Sequence, residues 1–296
     1  MAWIVARGST GALGGSIRAL AAHLPNRAAS WALLTFSCGT ALSAALQRVL
    51  PTSNPGWQRL VELNVGELFA IAAVASLLIT TRKSRPALTP VDLAVVVICA
   101  LTWFAPEPHA VYAGMTVAAI WLITRPYRDR LIADIGQIWL ALCLCELWSK
   151  LAFKLLYQGI EPFEVQFMAW VGRFAYPDLR ATGVYLSTHP EWSIVMLDGC
   201  SAFHNLSLAA LIWLCLLKVA GRRPGAAECS ALATSAVLVV AINVARILAM
   251  LPSPTAYHFW HDETGSVAVA LASITASIVP IVILIERTRC PAARRV

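Results

Sequence analysis

A chain of 296 residues that is 58% hydrophobic and 13% charged, with mean hydropathy +0.68, carries more apolar surface than one soluble domain could bury. That excludes an ordinary soluble enzyme and makes the lipid bilayer the solvent and a partner. The net charge of +7 would suggest nucleic acid in a soluble protein, but the basic residues fall between apolar runs and form no polyanion-binding block, so no nucleic-acid partner is expected.

Residues 1–28 carry Arg7, Arg18 and Arg27 and read as a cytoplasmic amino-terminal segment. The apolar run behind them is long enough to span and ends at no small-residue cleavage site, so it reads as a retained helix, not a signal peptide. Hydropathy predicts eight spans, at about 29–47, 64–81, 88–105, 109–124, 131–153, 203–220, 227–251 and 265–286. The fold class is therefore all-α: a polytopic helical bundle of about eight transmembrane helices. Helices 1–5 occupy 29–153, an insertion fills 154–202, helices 6–8 occupy 203–286, and a basic tail closes the chain at 287–296.

Lys and Arg orient the bundle. Arg82, Lys83, Arg85, Arg125, Arg128, Arg130, Lys218, Arg222, Arg223 and the tail arginines lie on the same side as the amino-terminal ones. The alternate short loops hold only Arg48 and Arg59, so both termini are expected in the cytoplasm of an inner (plasma) membrane protein. The insertion lies on the opposite, extracytoplasmic side. Its first part, "FEVQFMAWVGRF", sets Phe163, Phe167, Trp170, Val171 and Phe174 at helical spacing and reads as a helix in the interface. Its second part, "GVYLSTHPEWSIVML", predicts a short hairpin around "STHPE". Glu146 and Lys150, four apart, are expected to pair.

Most of the eight cysteines sit in apolar runs, where a thiol acts as a small hydrophobe, and no zinc-ligand spacing occurs. Cys200 differs, standing between a polar loop and the sixth span. Arg246 lies near the far end of the seventh span, where a charge is costly; snorkelling is its bland alternative. "YHFWHDETG" at 257–265 opens the eighth span and supplies His258 and His261. The topology thus brings Cys200, Arg246 and His261 to one membrane face from three helices. A thiol needs a base to become a nucleophile, histidine supplies base and then acid, and arginine binds a developing oxyanion. His204, four residues after Cys200, could reach the thiol or merely pack. Asn243 shares a helical face with Arg246 and could bond it or a substrate. Asp198, Asp262 and Glu263 could each orient a histidine or simply face water. A metal site from His204, His258, His261 and Cys200 is the weaker alternative, with no recognised ligand spacing; neither metal nor cofactor is implied.

"DGCSAFHNLSL" before a span, "NVARI" late in the next and "HDETG" opening the last resemble, in that order, the motifs of the exosortase/archaeosortase family. The likeness covers the second half of the chain. Ala202 stands where the family usually has glycine after Cys-Ser, which marks a divergent variant of the motif. The resemblance implies a membrane cysteine protease or transpeptidase with Cys200 as nucleophile, Arg246 and His261 as its catalytic partners, and Gly265 completing His-x-x-x-Gly. The substrates would be exported proteins with a carboxy-terminal sorting signal (a short motif such as Pro-Glu-Pro, a transmembrane helix and a basic tail), and the acyl acceptor is not specified. His258 has no counterpart in the pattern. The rival class is a transporter or assembly factor for envelope polysaccharide or protein export, in which Arg246 would bind an anion and the histidines would relay protons.

Overall fold

The computed structural model describes residues 26–49, 64–80, 88–126, 129–189, 191–196, 200–262 and 264–289. Its elements are α1 (Asn26–Val49), α2 (Val65–Thr80), α3 (Pro90–Ala100), α4 (Pro108–Thr124), α5 (Arg130–Cys143), α6 (Ser149–Gly172), β1 (Arg180–Thr182), β2 (Tyr185–His189), β3 (Trp192–Val195), α7 (Phe203–Val219), α8 (Ala226–Met250), α9 (Pro254–Asp262) and α10 (Thr264–Arg289). Among the described residues, four helical stretches are long and apolar enough to cross a membrane: Ala28–Arg48, Arg130–Tyr157, Ala226–Met250 and Thr264–Arg287. Val65–Thr80, Pro90–Phe104, His109–Thr124 and Phe203–Val219 are apolar but shorter. The chain is predominantly helical, with the apolar helices of a membrane protein.

Residues 1–140 and 141–296 form two compact units. Aromatic rings knit the first. Phe36 of α1 packs on Trp139 of α5 with ring centroids 4.9 Å apart, and on Trp103 at 5.8 Å. Gly39 makes the second contact possible, since a Cβ there would lie 2.3 Å from the Trp103 ring. The indole donors are satisfied: Trp139 Nε1 donates to Ser37 Oγ at 2.8 Å and Trp103 Nε1 to Thr40 Oγ1 at 3.2 Å.

Charges inside this unit are paired, because an isolated ion out of water is prohibitive. Asp92 closes a capping box with Thr89 at the start of α3. The same carboxylate accepts from Arg125 Nη1 at 2.6 Å and Trp121 Nε1 at 2.9 Å. Glu67 accepts from Arg48 and Tyr112. Arg48 and Arg125 are therefore structural ion partners as well as loop charges.

In the second unit, α5 passes through one π-helical turn (Leu144–Trp148) into α6. The helix was expected to end near 153 and give way to a separate interfacial helix. Instead it continues to Gly172, with Pro162 inside it. The aromatic period that suggested a second helix is the exposed face of the first: Phe163, Phe167 and Trp170 are exposed on it, and Phe174 follows in the turn after it. Glu146 and Lys150 pair at 2.8 Å as their spacing predicts.

Gly172 is followed by a three-stranded antiparallel sheet in the order β1-β2-β3. The expected hairpin is β2 with β3, in which Leu186 faces Ile194 and both are buried. The third strand, β1, pairs Arg180 with Ser187 and is too short to leave a periodic signal. Helices α7, α8 and α10 pack through small and branched residues, Ala209 with Val239 and Ala276, and Leu217 with Ala231 and Ile281. The nine-residue α9 between α8 and α10 was not expected as an element of its own.

The Asp92–Arg125 pair makes a test of the first unit, since both side chains are 3% exposed. Asp92→Ala alone should cost about 3–5 kcal/mol by removing the buried carboxylate that pairs with the guanidinium, whereas replacing both partners with apolar residues of similar size should recover most of the loss. Thermal unfolding in detergent reads both; equal losses would show that the ion pair is not what holds these helices.

Candidate functional site

Cys200 lies just ahead of α7, 8% exposed, in an apolar cluster with Val165, Met168 and Ala169 of α6, Leu186 and Ile194 of the sheet, and Ile247, Met250 and Leu251 at the end of α8. Polar side chains of α6 hold the backbone on either side of it. Tyr157 Oη is 3.1 Å from the Met196 carbonyl and 3.0 Å from Glu161 Oε1. Ser201 Oγ donates to Glu164 Oε1 at 2.7 Å and accepts from the Phe203 N–H at 3.1 Å, just ahead of α7. Tyr157, Glu161 and Glu164 recur at helical spacing, a polar stripe that sequence reasoning missed.

Asn243 and Arg246 stand one turn apart on α8 and reach in two directions. Asn243 Nδ2 donates to the Cys200 carbonyl at 2.9 Å, and the asparagine is 3% exposed. Arg246 Nε donates to the Trp260 carbonyl on α9 at 3.2 Å. The sequence suggested that Asn243 would bond the arginine or a substrate; it bonds the backbone of the cysteine instead. Gly265, in the first turn of α10, fixes α9 from its other end. A Cβ at Gly265 would sit 2.7 Å from the Phe259 carbonyl oxygen and 2.9 Å from the Trp260 ring.

On α9, His261 Nδ1 lies 2.6 Å from Asp262 Oδ1, and His258 Nδ1 lies 3.1 Å from Asp262 Oδ2. One carboxylate serves both histidines, so His258 belongs to the cluster despite its lack of a family counterpart. The hydrogen bonds with His261 and then His258 hold the Asp262 carboxyl below the ordinary aspartate value. The folded-state value is depressed, so the bridge is intact above the ordinary aspartate range and lost as pH falls through the lowered one.

Tyr257 joins the two halves. It packs on the Cys200 cluster, and its ring stacks on His261. Burial raises its phenol above the ordinary value, the charges of Cys200 and Asp262 add to the rise, and Arg246 opposes it. Tyr257 thus touches both the cluster that holds Cys200 and the ring of His261, and it drew no notice in the sequence because nothing there marks the ring as shared.

His204 is not brought to this group. Its charged neighbours are Lys150 and Glu146. The physical reason is local: α7 begins at Phe203, so Cys200 and His204 are not on one helix and their four-residue spacing places nothing. Asp198 and Glu263 lie outside the described residues. Among the described residues no three His, Cys, Asp or Glu side chains are grouped to hold a metal.

Beside the cluster runs an apolar groove of about 660 Å³, walled by Phe167 and Val171 of α6, Leu206 of α7, and a stripe of α8 that includes Ala241, Val244 and Leu248. No family model, curated protein or solved structure matches the chain.

Asn243→Ala should leave the Cys200 carbonyl without its buried donor, a cost of about 1–3 kcal/mol. The melting temperature in detergent should fall and alkylation of Cys200 by a small thiol reagent should speed up. If neither moves, the hydrogen bond does not hold the cysteine.

Proposed function

We propose that the chain is a membrane-embedded cysteine peptidase or transpeptidase of exosortase/archaeosortase type. The single observation that carries this reading is that Tyr257 packs on the Cys200 cluster and stacks on the carboxylate-oriented His261, while Arg246 bonds the backbone carbonyl next to that histidine.

The chemistry follows from those groups. His261, oriented through Nδ1 by Asp262, takes the Cys200 proton, and the thiolate attacks a peptide carbonyl carbon. The Nη groups of Arg246 have no hydrogen-bond partner among the described residues, because only Nε is used on Trp260. They stabilise the tetrahedral oxyanion. The oxyanion collapses, the C–N bond breaks, and the imidazolium returns its proton to the leaving amine, leaving a thioester on Cys200. An acceptor amine or water then attacks the thioester and frees the thiol.

The same reading includes eight spans, the four shorter apolar helices crossing with the four longer ones. Both termini are cytoplasmic, and the 154–202 insertion lies on the extracytoplasmic face of the inner membrane. Exposed Phe163, Trp170 and Phe174 then sit at the lipid interface. The apolar groove, with small residues on its α8 wall, suits the transmembrane helix of an exported protein's carboxy-terminal sorting signal.

One observation favours the transport reading: Glu146, with its side chain 3% exposed, sits in the π-helical turn of an apolar helix beside Lys150. Glu146→Gln separates the two, since it should abolish proton-linked transport but leave processing intact.

In cells carrying a tagged sorting-signal substrate, Cys200→Ala and Cys200→Ser should both abolish processing, and His261→Ala should slow it by about 10²–10⁴-fold. Processing that continues in both cysteine variants would remove Cys200 as the nucleophile.

A further inference from the structure

The rings of Tyr257 and His261 lie nearly parallel, with centroids 4.9 Å apart and planes 14° from each other. The two residues are four apart on α9, which puts them on one face of the helix. Tyr257 is itself confined. The ring of Trp192, on β3, meets it at 6.0 Å and 73°, and the His258 ring meets it at 5.7 Å and 79°. Trp192 is paired across the sheet with His189, so that wall belongs to a hydrogen-bonded frame. Tyr257 also packs on the buried cluster around Cys200.

His261 is less constrained. It is half-buried on a short helix none of whose residues is buried, and Asp262 holds it at Nδ1 alone. A single hydrogen bond fixes one atom of an imidazole and leaves the ring free to swing about that atom. Asp262 is also shared with His258, which makes it a divided anchor. A flat aromatic surface supplies what the hydrogen bond lacks, because it fixes the plane. Offset-parallel stacking of this kind stabilises a ring pair beyond simple burial and selects one ring orientation over its neighbours.

We propose that Tyr257 is a positioning residue that sets the plane of the His261 imidazole, and with it the direction of the nitrogen that Asp262 leaves open, for proton exchange with the Cys200 thiol. This rests on the thiol–histidine reading above. The ring carries the role and the hydroxyl does not. A protonated His261 gains further from the arrangement, because a cation over a neutral aromatic face is attracted by it. The titratable and charged groups around the stack are Asp262 and His258 on the same helix, Arg246 from α8 and Cys200 from the segment ahead of α7.

The test uses the full-length protein in detergent. The alkylation rate of Cys200 by iodoacetamide is followed against pH by peptide mass spectrometry, which separates it from the other cysteines. His261→Gln supplies the profile of a thiol without its base. Tyr257→Met fills similar volume without a flat face, and the conservative Tyr257→Phe keeps the face without the hydroxyl. Tyr257→Met should lose about tenfold in rate at neutral pH and take on the His261→Gln profile, with Tyr257→Phe restoring the rate to within about twofold of wild type. A wild-type profile in Tyr257→Met, with His261→Gln altered, would overturn the positioning role alone. A wild-type profile in His261→Gln as well would overturn the thiol–histidine pair, and the positioning role with it. Should Tyr257→Met fail to fold, proton NMR of the unmutated chain decides. The His261 ring protons should be shifted upfield of those of His258 by the tyrosine face, and the absence of that shift would overturn the proposal.

Discussion

One turn of α8 makes two side-chain hydrogen bonds to backbone carbonyls, and the geometry of the site depends on them. Asn243 holds the carbonyl of Cys200, which precedes α7. Arg246 holds the carbonyl of Trp260, on a helix with no buried residue. Neither partner segment is long, and the helix that carries Trp260 buries none of its residues. A long apolar helix that packs on α7 and α10 through Ala209, Val239 and Ala276 supplies the rigidity that they lack. The spacing of three residues matters because it sets the two side chains on one face of α8, nearly a turn apart, so that one reaches each segment. Gly265 completes the frame by letting α10 begin against the Phe259 carbonyl.

This arrangement gives each motif residue a mechanical task that precedes any chemical one. Arginine suits its double role because the guanidinium has five donors in a fixed fork. Nε is committed to a backbone carbonyl, which in the proposed mechanism leaves the Nη groups for the developing negative charge. Lysine at the same place would have one charged nitrogen to divide between the two tasks. The second polar centre, Glu146 with Lys150 and His204, is built on different helices and around a π-helical turn. It shares none of the hydrogen bonds that organise the cysteine and the α9 histidines.

Hydropathy made the helices legible, because a chain in lipid must satisfy its backbone internally and apolar runs have few other solutions. The grouping of Cys200, Arg246 and His261 was legible only through topology, since they lie far apart in sequence. What stayed hidden was local. The helix through Pro162 looked like two helices because its exposed face turns aromatic after the apolar run. His204 looked close to the thiol because helical spacing was assumed across residues that precede the helix. Asn243 was noticed for its face and not for its partner, as a backbone carbonyl has no signature in sequence. Tyr257, Trp192 and Glu164 left no signal because their importance comes from which neighbour they touch.

The central claim is that this frame brings the Cys200 thiol and the His261 side chain to one place. The most direct measurement is cross-linking of a His261→Cys variant in a chain whose other cysteines, Cys200 excepted, are replaced by serine. A short bifunctional thiosulfonate should join the two thiols within one molecule in the folded protein, and the cross-link should vanish on denaturation before treatment. Single modification of both thiols, with no cross-link between them, would contradict the account.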